Sequence, residues 1–433
     1  MKSLVLIVAA LAFAAPAEAK LSAPERHMIA AVDKDRERSI ALLGRLVDQN
    51  SGSLNLAGVE AVGRMMRAEL EPLGFAVRWL PMAATGRAGH LVATHKGSGK
   101  GKRLLLIGHL DTVYELDSPF QRFVRKGDKA EGPGVGDDKG GMVVMVAALR
   151  AMQAAGTLND ADIEIALTGD EEDSGNPIEV ARADLVAAGK RADVALDFEG
   201  LAQEDGRDMG SIARRSSGTW EVRATGKTGH SSGIFSVAAG NGAIYELARI
   251  LDAFRTQLPE TNLTYNVGLI AGGSTAALDA GGIRATATGK TNIIPETAIA
   301  RGDIRTLSRA QNDRVKARMQ AIVAKSLAGA RASISFGTDG YPAMAPTPGN
   351  KALLDRLNLV NRDMGLPQMG VLDPLKRGAG DISFVAEDVD GLVGLGPASQ
   401  GDHAPGETVD LPSIDRQAKR AAILMSRLAR GPR

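Results

Sequence analysis

Three apolar runs and one Gly-rich loop of this 433-residue chain lead into the residue types that hold metal ions and move protons. Arg103 to Ile107 (RLLLI) leads into Gly108-His109-Leu110-Asp111, and Ile163 to Leu167 (IEIAL) leads into Thr168-Gly169-Asp170-Glu171-Glu172. Val194 to Phe198 (VALDF) ends at Glu199, and the Gly-rich loop Gly132 to Gly141 sets Asp137 and Asp138 just ahead of a helix. The spacing His-x-Asp puts both side chains on one face of an extended segment, where Asp111 can take the free ring N–H of a metal-bound His109. In Glu171-Glu172 one carboxylate can bind a cation while its neighbour acts as a base. Taken singly, each has a plainer reading: His109 as a polar residue after a strand, Glu171-Glu172 as a solvated acidic turn, Glu199 as nothing in particular. Together they gather carboxylates that would repel one another, and a doubly charged cation is the simplest remedy.

Composition narrows the chemistry further. The chain has no cysteine, which removes disulfides, thiolate zinc sites, iron–sulfur clusters and a thiol nucleophile at once. Any metal must be held by His, Asp and Glu, and there are only six histidines. A formal net charge of +1 and an aromatic content of 3% leave neither a basic excess for phosphates nor rings for stacking on bases, so nucleic acid is not an expected partner.

These residues need elements to position them. Apolar residues at three- and four-residue spacing (Ile40, Leu43, Leu46, Val47; Val62, Met65, Met66, Leu70) predict helices over about 33–49 and 58–73. Buried strands are expected at 103–107, 163–167, 194–198 and 392–395, with helices at 140–155, 177–188, 381–386 and 413–428. Such alternation predicts a mostly parallel sheet covered on both faces, with ligands at the carboxyl ends of its strands. The middle of the chain differs. Strands are expected at 219–224, 265–271, 282–287, 298–305 and 331–336, with helices at 237–254 and 310–327. The expected fold is therefore α/β, with a catalytic domain from residues 20–211 and 340–433 and an inserted two-layer α+β lid or dimerisation domain from 212–339. Length agrees, since 433 residues suit two or three domains.

Met1 to Ala19 reads as an export signal: Lys2, an apolar run from Leu4 to Ala15, then Ala17-Glu18-Ala19 in the small-x-small pattern of a cleavage site. The run is shorter than the ~20 residues of a spanning helix. The expected location is exported, in a bacterial periplasm, and no stable membrane partner is expected.

GHLDTV, GPGVGDDKGG, TGDEEDSG, LDFEG, TGKTGHSS and GDHAPGE occur in this order. In that order they make essentially the whole chain after residue 19 resemble the zinc-dependent metallopeptidase family of glutamate carboxypeptidase, aminoacylase and succinyl-diaminopimelate desuccinylase, and most of all its exported glutamate carboxypeptidase type. The resemblance implies two Zn(2+) per chain. His109 and Glu199 would bind one ion, Glu172 and His403 the other, and Asp137 both, with a cis peptide between Asp137 and Asp138. Asp111 would orient His109, and Glu171 would be the general base. Asp402 is a neighbouring competitor of His403. His230 would reach the substrate carbonyl across a dimer interface. Asn292 and Arg305 would bind substrate, and Gly378 and Gly380 would form a turn whose N–H groups meet an anion. His27, His90 and His95 match nothing in the family and read as surface residues.

The activity implied is hydrolysis of an amide bond next to a free carboxylate, of carboxypeptidase type, on a small peptide. The alternative within the class is an N-acyl amino acid amidohydrolase. Outside it stand a periplasmic solute-binding protein, with a similar two-lobed exported chain, and an inactive homologue serving as an interaction module. A homodimer through the inserted domain is expected.

Overall fold

A computed structural model describes residues 21–433; the expected export signal lies outside them. A six-stranded sheet runs in the order Ala76–Pro81, Gly89–His95, Asp162–Thr168, Arg103–His109, Val194–Asp197, Gly391–Val393. The last four strands are mutually parallel and the first two join antiparallel at one edge. The Arg103–His109 strand shows why the run is apolar throughout. Leu104 and Leu106 enter a core under the helices Ala23–Asp48, Lys139–Ala154 and Leu411–Leu428, while Leu105 and Ile107 enter a second core with Leu185, Ile382 and Val385. Side chains alternate between faces, and here both faces are covered.

A second layer has its own core. Strands Gly218–Gly226, Thr297–Arg305 and Ala330–Phe336 with short edge strands form an antiparallel sheet. One face packs on the helices Gly242–Gln257 and Arg309–Val323 through Trp220, Val222, Leu247, Phe254 and Met319. The fold is thus α/β, a largely parallel sheet with a further antiparallel sheet-and-helix layer. Among the described residues no helix is long and apolar enough to cross a membrane.

Several elements differ from the sequence expectation, each for a local reason. The first helix starts ten residues early, at Ala23, because Ser22 and Glu25 form a reciprocal capping box. The helix expected from 237 starts at Gly242, because Gly240 and Gly242 both take positive φ (75° and 73°) and interrupt the winding. Residues 285–288 pair with 275–278 in a separate hairpin and not with the layer's main sheet. The segment 381–386 makes only a 3₁₀ turn, Asp381–Phe384. Two strands at one side of the sheet, Ala76–Pro81 at its edge and Gly89–His95 next to it, are not expected from the sequence.

Candidate metal-centred active site

Three parallel strands deliver the acidic and imidazole groups from their carboxyl ends. His109 ends one strand, Glu171 and Glu172 follow Thr168 of the next, and Glu199 lies two residues past Asp197 of the third. Asp137 arrives from the loop preceding the Lys139–Ala154 helix, and the Asp137–Asp138 peptide is cis. His109, Asp137 and Glu172 bring ligand atoms within 4.8 Å of one another, as do His109, Glu171 and Glu199. His403 Nε2 lies 3.1 Å from Asp137 and 3.2 Å from Glu172. Asp402 belongs to neither ligand group; its Oδ1 lies 3.3 Å from where a Gly136 side chain would start, next to Asp137.

Asp111 organises this end of the sheet. His109 Nδ1 lies 3.1 Å from its main-chain carbonyl and 3.3 Å from its carboxylate. The same carboxylate accepts hydrogen bonds from the N–H groups of Glu171 and Glu172, both 3.0 Å, and from the Ser53 hydroxyl at 2.6 Å. With Nδ1–H committed to Asp111, a neutral His109 turns its Nε2 lone pair toward Asp137, 3.0 Å away. Lone pair facing carboxylate is repulsive unless a proton or a cation lies between them.

Electrostatics agree. Burial, then the charge of Glu199, hold the Glu171 carboxyl well above the usual carboxylate range. Burial and Asp137 push Glu172 up to about 10. For His109, burial opposes the charged ring, but hydrogen bonds to Asp111 and Asp137 outweigh it and raise its pKa well above the imidazole value. Asp138 Oδ1, Glu172 Oε1 and Asp197 Oδ2 are buried without a hydrogen-bond partner. Crowded, protonation-prone carboxylates with unused lone pairs and two imidazoles fit a hard or borderline divalent cation.

Residues that sequence reasoning left unassigned hold the site in shape. Glu407 accepts from the N–H groups of Gly134, Gly136 and Asp137 at 3.0, 2.7 and 3.1 Å and so fixes the Asp137 loop. Its signal was present, an acid two residues past Pro405 in GDHAPGE, opposite a glycine-rich loop full of free N–H groups. Arg214 is buried with its Nη1 2.7 Å from Glu199. It also donates from Nε to Gly378 O at 2.9 Å and to the carbonyl of Ala379. Thus the Gly378 to Gly380 turn directs two carbonyls at a guanidinium. Arg182, fully buried, pairs with Asp170 at 2.5 Å and Asp381 at 2.7 Å behind the Glu171 loop.

The remaining expected site residues lie on the second layer. His230 and Asn292 are exposed; Asn292 O accepts from Ser231 N and His230 bridges to Ile293, so the two are neighbours in one loop cluster outside the acidic group. Arg305 is half-buried, bonded to Asp303, and its Nη1 lies 3.9 Å from where a Gly378 side chain would start. His90 is not a surface residue. It is buried in the Gly89–His95 strand, accepting from Gly169 N through Nδ1 and facing Ala181 O through Nε2.

Comparison with known proteins gives the class, a hydrolase of peptide bonds. Residues 105–427 match the family model of peptidase family M20/M25/M40, and the chain belongs to that family. It is 29% identical over 406 residues to carboxypeptidase G2 of Pseudomonas sp. (strain RS-16), covering 90% of this chain and 89% of that protein. It is 33% identical over 199 residues to a succinyl-diaminopimelate desuccinylase of Novosphingobium aromaticivorans, 44% of this chain and 51% of the relative. A dinuclear metal-binding peptidase of Bacillus subtilis shares the fold with a TM-score of 0.64 at 16% identity, over 91% of this chain and 98% of that one.

Proposed function

We propose that the chain is an exported carboxypeptidase of glutamate carboxypeptidase type that binds two zinc ions and hydrolyses an amide bond beside a free carboxylate. The observation that carries this reading is the convergence of His109, Asp137, Glu172, Glu199 and His403 around Glu171 at the carboxyl ends of parallel strands. His109, Asp137 and Glu199 would hold one ion and Asp137, Glu172 and His403 the other. When bound, such a pair supplies Lewis acidity toward a carbonyl oxygen and water of lowered pKa. Glu171 takes a proton from the attacking water and returns it to the leaving amine. Its place beside His109 and Glu199 suits a group that must carry a proton between two steps.

Arg305 would meet the substrate carboxylate, with Asn292 assisting; its position beside the Gly378 turn supports this role. His230 reaches the carbonyl oxygen from the second layer or from a second subunit. Exposed Phe235, Val237, Tyr245, Ile270 and Ile283 on that layer support a homodimer. The pattern of Met1 to Ala19 supports export. A secreted form beginning at Lys20 and sedimenting as a dimer is expected; a retained leader or a monomer would remove these two statements. The likeness to a desuccinylase favours N-acyl amino acids as the second substrate class. Solute binding alone would leave Glu171, half-buried among the clustered carboxylates, without a task.

Glu171→Gln tests the reading. It should keep metal content near two ions per chain while turnover falls by about 10²- to 10⁴-fold, the range for losing a general base. Turnover near the wild-type level would remove Glu171 from that role.

A further inference from the structure

The two segments that join the layers run side by side. Arg214 and Met344 exchange main-chain hydrogen bonds of 3.0 and 2.9 Å, and Ser217 N donates to Tyr341 O at 3.1 Å. The ribbon is also tied to the Arg305 strand: Ser216 N donates to Thr306 O, and Thr306 N to the Ser216 hydroxyl, both at 2.8 Å. One side chain leaves this ribbon for the Glu171 loop. The Tyr341 hydroxyl donates to the main-chain carbonyl of Glu171 at 2.8 Å. It accepts from Arg182 Nη2 at 2.7 Å and from the Ser174 hydroxyl at 2.8 Å. One proton and two lone pairs are all used, so the donor direction toward Glu171 is fixed.

The peptide on which Glu171 rides is therefore held at both ends, its N–H by Asp111 and the following carbonyl by Tyr341. The ring itself packs on Phe384 and borders a cavity of about 330 Å³ lined by Ser216, Ser217, Thr306, Asn312 and Lys316, so the hydroxyl is the part of Tyr341 that reaches the Glu171 loop.

We infer that Tyr341 is a positioning residue for Glu171, mounted on the ribbon so that the base is set by the same element that carries the Arg305 strand. This rests on Glu171 being the base. Displacements of even about 1 Å at a reacting group lower rates by about 10²-fold, so a single carbonyl anchor is enough to matter.

Tyr341→Phe keeps the ring against Phe384 and leaves Arg182 bonded to Asp170 O and both its aspartates. The variant is thus expected to fold, which thermal unfolding checks. With dipeptide and N-acyl amino acid substrates, kcat should fall about 10- to 100-fold with KM and metal content unchanged. A double-mutant cycle supplies the second measurement. In the Glu171→Gln background, Tyr341→Phe should cause no further loss, because the hydroxyl acts through Glu171. An unchanged kcat, a loss confined to KM, or multiplicative losses in the double variant would overturn the inference. Wild-type protein without amide hydrolysis would instead remove the underlying reading.

Discussion

At the scale of single residues, the positions of four of the clustered groups were legible because each follows an apolar run, and a strand's end is readable from where its apolar residues stop. His109, Glu171, Glu172 and Glu199 all follow that rule. Their supports were not, because Arg214, Arg182, Tyr341 and Glu407 make contacts across 12 to more than 250 positions that no local pattern announces. Gly141 illustrates how tightly the result is packed. A methyl there would sit 2.0 Å from both Asp138 Oδ1 and the Phe198 carbonyl. The carbonyl is main chain and cannot swing aside, so Gly141→Ala must shift the helix that follows Asp137. Overpacking of this kind costs about 1–3 kcal/mol. A lower urea midpoint accompanied by weaker metal retention is expected; wild-type values of both would show that the helix has slack.

At the scale of elements, the parallel strands were legible and the antiparallel edge was not. Ala76–Pro81 mixes Arg78 and Trp79 into a half-exposed strand, so its pattern is weak. His90 was misjudged for a related reason: a polar residue in a strand reads as exposed unless its two partners, Gly169 N and Ala181 O, are known. The opposite end of the His109 strand offers a test of element stability. Arg103 meets Asp193 through Nη2 at 2.7 Å, Nε at 3.0 Å and its own main-chain N–H at 2.8 Å. The Arg103 side-chain bond is the main reason the Asp193 pKa falls to about 2. A depressed carboxylate stabilises the fold above its unfolded pKa of about 3.9, and that contribution disappears as pH drops toward 2. Arg103 is nearly half exposed, so solvent screening holds the value to about 0.3–1 kcal/mol. Asp193→Asn should therefore cost this much at pH 7 and less at pH 3 in urea unfolding. An equal cost at both would mean that packing, not charge, holds the pair.

At the scale of the whole molecule, one layer carries the acidic cluster and the other carries His230, Asn292 and Arg305, joined by a ribbon that is hydrogen-bonded to both. The sequence showed the change of style between the middle and the two ends, but not this ribbon, whose residues follow no helix or strand period. In the proposed reading, the clustered carboxylates and imidazoles work only with divalent ions between them. The most direct measurement is turnover of a panel of dipeptides, N-acyl amino acids and glutamyl conjugates before chelation, after it, and after zinc or cobalt is returned. Hydrolysis restricted to substrates with a free carboxylate, abolished by chelation and restored by either metal, is the predicted result. Hydrolysis that survives complete removal of metal would contradict it.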